Sequence, residues 1–356
     1  MQLMTTLEDV HRSVDASSYY AVKDVGALNF ALSQTTTPGG LRIDDIFEPD
    51  IEDAFRRRTE LGQRMTSKPV NNVPHRWIEK DALPGGQAWV DPQLLTGQTA
   101  GTPSRSAHYL EIKALMGEYD STMYNREVTE AQGVFSGQDD EDFNNTLEAL
   151  ILKRDKNYWT GLATSINVAP NNAVAATLEF CSFFRQLVSA GNTFGASVTA
   201  GTSIIRAIMT AVANIMAQDD QIFAPTAIYI HPLAHLFLTI ELEDRTTYWG
   251  EPVQAIPGKT VSTIMTAAGP LPLITDNFMG TQQIAAPGDS YPIVITCEKY
   301  LENRYLTEDK PRIFELGLVA GLARKRVMVM FAGFGVKRAA LAHAVIKVAT
   351  NWTPPV

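Results

Sequence analysis

Val73–Leu83, VPHRWIEKDAL, is the stretch on which the reading of this chain turns. Its apolar and polar residues partly alternate, as in a strand, and Leu83-Pro84-Gly85-Gly86 then spells a turn. A Gly-, Ser-, Thr- and Pro-rich stretch follows from Leu95 to Ser106. Ala107–Met116 (AHYLEIKALM) returns as a second strand, with Tyr109, Ile112 and Leu115 among polar neighbours. These two strands predict a long hairpin in a polar region from about Arg58 to Glu118. Two strands with no apolar face to pack on are marginal in water. The region is therefore expected to reach out of its own subunit and to find its partner on another molecule. Trp77, Ile78, Leu83, Trp89 and Tyr109 are the candidate anchors, because aromatic and large apolar residues dominate interface energetics.

Upstream of the hairpin, residues 1–45 read as a weakly patterned arm broken at Thr35–Gly40, and a short helix is predicted over Pro49–Leu61, ending on Arg56-Arg57-Arg58. Downstream, Asp140–Thr160 predicts the strongest helix. Phe143, Leu147, Leu150 and Tyr158 recur at helical spacing, acidic residues fill the first turn, and Lys153, Arg154 and Lys156 lie toward the end. Gly161 is its expected C-cap. At 1.5 Å per residue such a helix runs to about 30 Å, enough for the spine of a subunit.

Beyond the spine, helices and strands interleave. Leu178–Val188 reads as helical. Thr202 or Ser203 caps a helix running to about Gln218, with Ile204, Ile208, Val212 and Ile215 on one face. Thr226–His231 reads as a buried strand, and Pro232 starts a helix over His235–Glu243. Strands are predicted at Leu271–Thr275, Pro292–Cys297, Val327–Phe331 and Ala342–Val348. The mixture implies an α+β fold.

Composition narrows the function. The chain has 356 residues, is 45% hydrophobic and carries a net charge of −9, which disfavours a nucleic-acid-gripping surface. Two cysteines cannot build a disulfide scaffold and suit a reducing compartment. The N-terminus lacks the apolar core of a signal peptide, and no apolar run is long enough to span a membrane. Charge is uneven: residues 1–50 hold eight Asp/Glu against three Lys/Arg, whereas Lys299 to the end holds ten Lys/Arg against four Asp/Glu. This asymmetry suggests an acidic arm of one subunit lying across a basic surface of its neighbour. Arg324, Lys325 and Arg326 are candidates for a basic interface.

Chemical motifs are tested and set aside. Pro257-Gly258-Lys259-Thr260 lacks the first glycine of a phosphate loop, since Val253 stands in its place. Gly333-Phe334-Gly335 begins like a dinucleotide fingerprint, but Arg338 replaces the final glycine. His231 and His235 share a spacing with zinc hydrolases, yet Pro232 occupies the place of the required glutamate. The acidic run Asp139–Asp142 lacks the spacing of a calcium loop and reads as a helix N-terminus. No catalytic residue, metal or cofactor is expected.

The order of segments resembles the major capsid protein of tailed bacteriophages, the Hong Kong 97-like fold, over essentially the whole chain. Val73–Leu83 looks like the outgoing strand of that fold's extended loop, and Leu150–Gly161 (LILKRDKNYWTG) like the end of its spine helix. Pro225–Leu238 (PTAIYIHPLAHLFL) is similar to the strand and helix of its axial domain, and Arg326–Val348 to the segment that returns to its peripheral domain. The resemblance implies an N-terminal arm and short helix over 1–57 and an extended loop over 58–125. It further implies a peripheral domain over 126–177 and 326–356, and an axial domain over 178–325.

It also implies pentamers and hexamers in an icosahedral shell around double-stranded DNA, assembled in the host cytoplasm. Portal and scaffolding or decoration proteins would be partners, and no membrane would be involved. With about 50 residues ahead of the hairpin, a large fused scaffold is not expected. An encapsulin-type compartment shares the fold and is the alternative. A soluble α/β enzyme with an unrecognised site is the alternative of another class.

Overall fold

The computed structural model describes residues 59–82, 104–124, 127, 138–162, 179–218, 222–248, 262–286, 288–307, 309–319 and 323–355. They fall into two compact units. The larger takes its described residues from 57–115, 150–311 and 330–356, the smaller from 116–149 and 312–329.

The core of the larger unit is built from two kinds of sequence. One is the short apolar run AIYI, β6 (Ala227–Ile230), which lies between Pro225 and Pro232 and whose four residues are all buried. A strand covered on both faces has no polar alternation. It pairs in parallel with β8 (Gly269–Thr275) and antiparallel with β9 (Ser290–Thr296). The sheet is completed by β13 (His343–Ala349) and β5 (Ala196–Val198) beyond β9, and by β7 (Thr263–Thr266) beyond β8.

The other is the amphipathic helix α4 (Ile204–Met216), whose Ile204, Ile208, Val212 and Ile215 are fully buried against this sheet. Ser203 caps it, its hydroxyl accepting from the Arg206 N–H at 3.1 Å. Buried Glu241 accepts from the N–H groups of Ile204 (2.7 Å) and Ile205 (3.3 Å). Glu241 belongs to α5 (Pro232–Tyr248), so the helix that starts at Pro232 closes the N-terminus of its neighbour.

The spine helix forms as α2 (Gln138–Thr160). Its second half departs from a simple apolar stripe. Arg154, Asp155, Asn157, Tyr158 and Trp159 are all buried, whereas Phe143 and Leu147 are half-buried. Of the three cations expected toward the helix end, Lys153 and Lys156 are exposed, whereas Arg154 turns inward; none lies in the last turn. Its guanidinium bonds to Asp155 at 2.9 Å and to Asp309 at 2.7 Å. Trp159 donates to Asp276 at 3.0 Å and packs with Phe183, Phe184 and Tyr229. Gly161 leaves no room for a side chain, because an added Cβ would lie 2.2 Å from the Phe180 carbonyl oxygen.

Two expectations are corrected, and a third falls largely outside the described residues. The helix predicted over Pro49–Leu61 lies outside them up to Arg58; the described helix there is α1 (Glu60–Arg64), capped by Thr59. The helix predicted over Leu178–Val188 is the shorter α3 (Phe183–Ser189), started at Ser182. The returning strand is two strands, β3 (Ser104–Leu110) and β4 (Lys113–Thr122), divided at Glu111-Ile112. β3 pairs with β2 (His75–Ala82), while β4 pairs with β12 (Ala323–Val336).

The polar region also buries more than its composition suggests. Leu61, Met65, Val70, Leu110, Ile112 and Leu115 are all core residues. β1 (Thr66–Pro69) runs parallel to β10 (Leu301–Tyr305), which pairs with the second half of β12. Gly333 on β12 gives the chain room to cross there, since a Cβ would stand 3.1 Å from both Leu110 and Ile112. That packing is the role of Gly333, whereas a Cβ at Gly335 would make only ordinary contacts, the nearest at 3.6 Å.

In the smaller unit, β11 (Arg312–Val319) pairs antiparallel with the first half of β12. Lys325 pairs with Glu118 at 2.6 Å, and Arg326 sits 4.7 Å over the Phe143 ring.

Candidate assembly surface

The hairpin is the strongest candidate, and its register decides what each side chain can do. Trp77 faces His108, Glu79 faces Ser106, Ile78 faces Ala107, Arg76 faces Tyr109 and Lys80 faces Arg105. Opposed residues share a face of the ladder, so the hairpin has two chemically different sides.

The inner side is engaged with its own unit. Trp77 stacks between His75 (5.9 Å) and His108 (5.6 Å), and its indole donates to Glu79 at 2.9 Å. Glu79 in turn accepts from the backbone N–H of Arg338 at 2.9 Å. The Arg338 guanidinium donates to Asp81 at 3.4 Å and to the Lys80 carbonyl at 2.5 Å. Arg338 takes a left-handed backbone, φ 53°, which aims both its N–H and its side chain at the hairpin. A cavity of about 310 Å³, lined by Trp77, His108, Cys181, Gln186 and Arg338 among others, lies beside this clamp. Burial pushes the Cys181 thiol up to about 12, so it stays protonated and unreactive.

Beneath the hairpin root lies a buried charge cluster. Glu302 accepts from Lys68 and Lys337, each at 2.8 Å, and from Arg304 at 2.5 and 3.0 Å. Burial alone would raise its carboxyl, but the hydrogen bonds from these three cations outweigh it and hold the group at about 2. His75 is lowered as well, by burial and by the charges of Arg304 and Lys337.

The outer side is open. Ile78 is 71% exposed and Tyr109 40%, and Arg76, Lys80, Arg105 and Ala107 stand exposed around them. Among the five anchors named from sequence, Ile78 and Tyr109 thus lie on the open face and Trp77 on the engaged one. Leu83 and Trp89 lie outside the described residues. Of the spine residues, Leu150 and Tyr158 are core, Arg154 is ion-paired inside, and Phe143 and Leu147 are half-buried. Lys325 and Arg326 pair within the smaller unit, and the Arg324 side chain lies outside the described residues.

Sequence reasoning missed Arg338 and the three outward cations. Strict alternation in HRWIEKDA carried the signal for two sides, but nothing local marks Arg338, which lies 259 residues from Glu79. His231 stacks on Tyr291 and its Nδ1 accepts from the Leu233 N–H, as a structural histidine does. Among the described residues no three His, Cys, Asp or Glu side chains converge to hold a metal. None of the described helices is long and apolar enough to cross a membrane.

The mixed α+β fold is that of solved tailed-phage capsid structures. No protein-family model and no curated protein matches the chain. Solved structures do. The capsid asymmetric unit of cyanophage A-1(L) matches at 11% identity over 85% of this chain and 96% of that one, with a TM-score of 0.58. The capsid of cyanophage P-SCSP1u matches at 14% identity over 88% and 94%, with a TM-score of 0.55. The SrpI encapsulin complex of Synechococcus elongatus matches at 11% identity over 90% and 97%, with a TM-score of 0.51. At these identities the likeness is one of fold.

Proposed function

We propose that this chain is the major capsid protein of a tailed bacteriophage, a structural protein that assembles with copies of itself into a closed shell. The observation that carries the reading is the near end-to-end match of its fold to phage capsid subunits, which themselves are covered at 94–96%. In this reading the subunits form pentamers and hexamers of an icosahedral shell that encloses double-stranded DNA without gripping it, consistent with the net charge of −9. Portal and scaffolding or decoration proteins are its partners, the virion capsid is its location, and the host cytoplasm is where it assembles. The arm, extended loop, peripheral and axial domains follow the boundaries given above. The open hairpin face, with Ile78 and Tyr109 at its centre, lies on a neighbouring subunit.

The inner face explains how such a hairpin is presented. Arg338, bonded to Glu79, Lys80 and Asp81, fixes the described strand to its own subunit, so the outer face is pre-oriented before it meets a neighbour, which lowers the ordering cost of assembly. Electron microscopy of the purified protein tests the reading: closed icosahedral particles are expected, and a monodisperse small oligomer under all assembly conditions would refute it. A second reading, an encapsulin-type compartment, is favoured by the match to the SrpI complex. The contents of particles isolated from native cells separate the two, DNA for the first and an enzyme for the second.

A further inference from the structure

The outer face of the hairpin carries an electrostatic conflict. Lys80 and Arg105 are directly opposed across the two strands, where like charges repel. Arg76 stands four residues from Lys80 on the same face, opposite Tyr109. Among the described residues nothing pairs with these three cationic side chains, while Glu79 and Asp81 on the opposite face are already committed to Arg338. Near the root Arg76 also lines a cavity of about 490 Å³, with Asn71, Asn72, His75 and Arg304 among others and no carboxylate in its lining. The surface is thus a cationic strip with an apolar centre, Ile78 and Tyr109, built where repulsion goes unrelieved within the described unit.

The sequence holds its complement. Asp44–Asp50, DDIFEPD, sets Asp44, Asp45, Glu48 and Asp50 around Ile46 and Phe47. It lies in the acidic first 50 residues, outside the described residues. We infer that the acidic segment Asp44–Asp50 of a second copy docks on the outer hairpin face, its carboxylates on Arg76, Lys80 and Arg105 and its Ile46 and Phe47 on Ile78 and Tyr109. The inference rests on the shell reading and gives the hairpin's partner. Charge complementarity fixes register and suppresses wrong partners, and the apolar centre supplies the desolvated contact.

Paired cysteines test it. Phe47→Cys and Ile78→Cys are introduced together in the full chain, whose native Cys181 and Cys297 are both buried. Particles are verified by electron microscopy, oxidised mildly and run on a denaturing gel without reductant. Most of the chain is expected in covalent multimers, with neither single variant giving them. Adding Lys80→Gln and Arg105→Gln is expected to cut the multimer fraction severalfold while the circular dichroism spectrum stays unchanged. Particles that form normally yet give no multimers, although maleimide labels both thiols, would overturn the inference and leave the shell reading standing. So would a disulfide closed within one chain. If no variant and no wild-type sample forms particles, the shell reading falls and takes the inference with it.

Discussion

Replacing Glu302 by Gln tests the buried charge cluster on which the hairpin root rests. The carboxylate is 5% exposed and pairs with Lys68, Arg304 and Lys337 together. Its carboxyl is held at about 2 against an ordinary 4.5. At roughly 1.4 kcal/mol per pKa unit, the charged form contributes about 3 kcal/mol at neutral pH. The sign follows from the lowered value. The contribution is complete above the unfolded carboxyl's 4.5 and is lost as pH falls toward 2. Glu302→Gln also strands the cations. Lys68 is half-exposed and can turn to water, but Arg304 is 12% exposed and cannot.

The expected loss at pH 7 is therefore about 3 kcal/mol, the low end for breaking a buried pair. Urea unfolding of the unassembled chain, followed by tryptophan fluorescence from pH 7 down to pH 2, reads the difference between wild type and variant. Other carboxylates titrate in the same range, and taking the difference removes them. A gap below about 1 kcal/mol at pH 7, or one that does not narrow on acidification, would refute the account.

Three further outcomes are expected. Gly161→Ala should destabilise by about 2 kcal/mol or more in thermal unfolding, because its Cβ would meet the Phe180 carbonyl oxygen at 2.2 Å; an unchanged melting temperature would contradict this packing. Ile208→Ala removes a fully buried side chain from the α4 face and should cost about 2–5 kcal/mol in urea unfolding without changing the helical spectrum. Ile78→Asp should impair particle formation in electron micrographs while leaving subunit stability within about 0.5 kcal/mol, whereas Trp77→Ala should lower subunit stability itself; equal effects of the two would contradict the two-sided hairpin.

Several elements are specified by local sequence alone. Ile204, Ile208, Val212 and Ile215 at helical spacing after Ser203 specify α4 wherever it is placed, because capping and amphipathicity act within a few residues. The AIYI run between two prolines likewise specifies a buried strand. β1 and β10 could not be read. TSKP and LENRY have no distinguishing pattern, and each becomes a strand through the other, Ser67 pairing with Asn303 far along the chain. β5 and β7, of three and four residues, carry no local signal for the same reason: a short strand is stabilised by its ladder rather than by propensity. The spine's inner charges were misjudged because Arg154 on a helix looks solvated until Asp309 arrives to meet it.

The hairpin divides the two kinds of information most sharply. Alternation in HRWIEKDA determines by itself that Trp77, Glu79 and Asp81 share one side and Arg76, Ile78 and Lys80 the other, since successive strand residues must point oppositely. Which side turns inward was decided only by tertiary structure. Arg338, set in a left-handed turn between β12 and β13, bonds to Glu79, Lys80 and Asp81 and leaves Ile78 outside. A strand's period is a property of its covalent geometry, but its orientation depends on charges that the fold brings from 259 residues away.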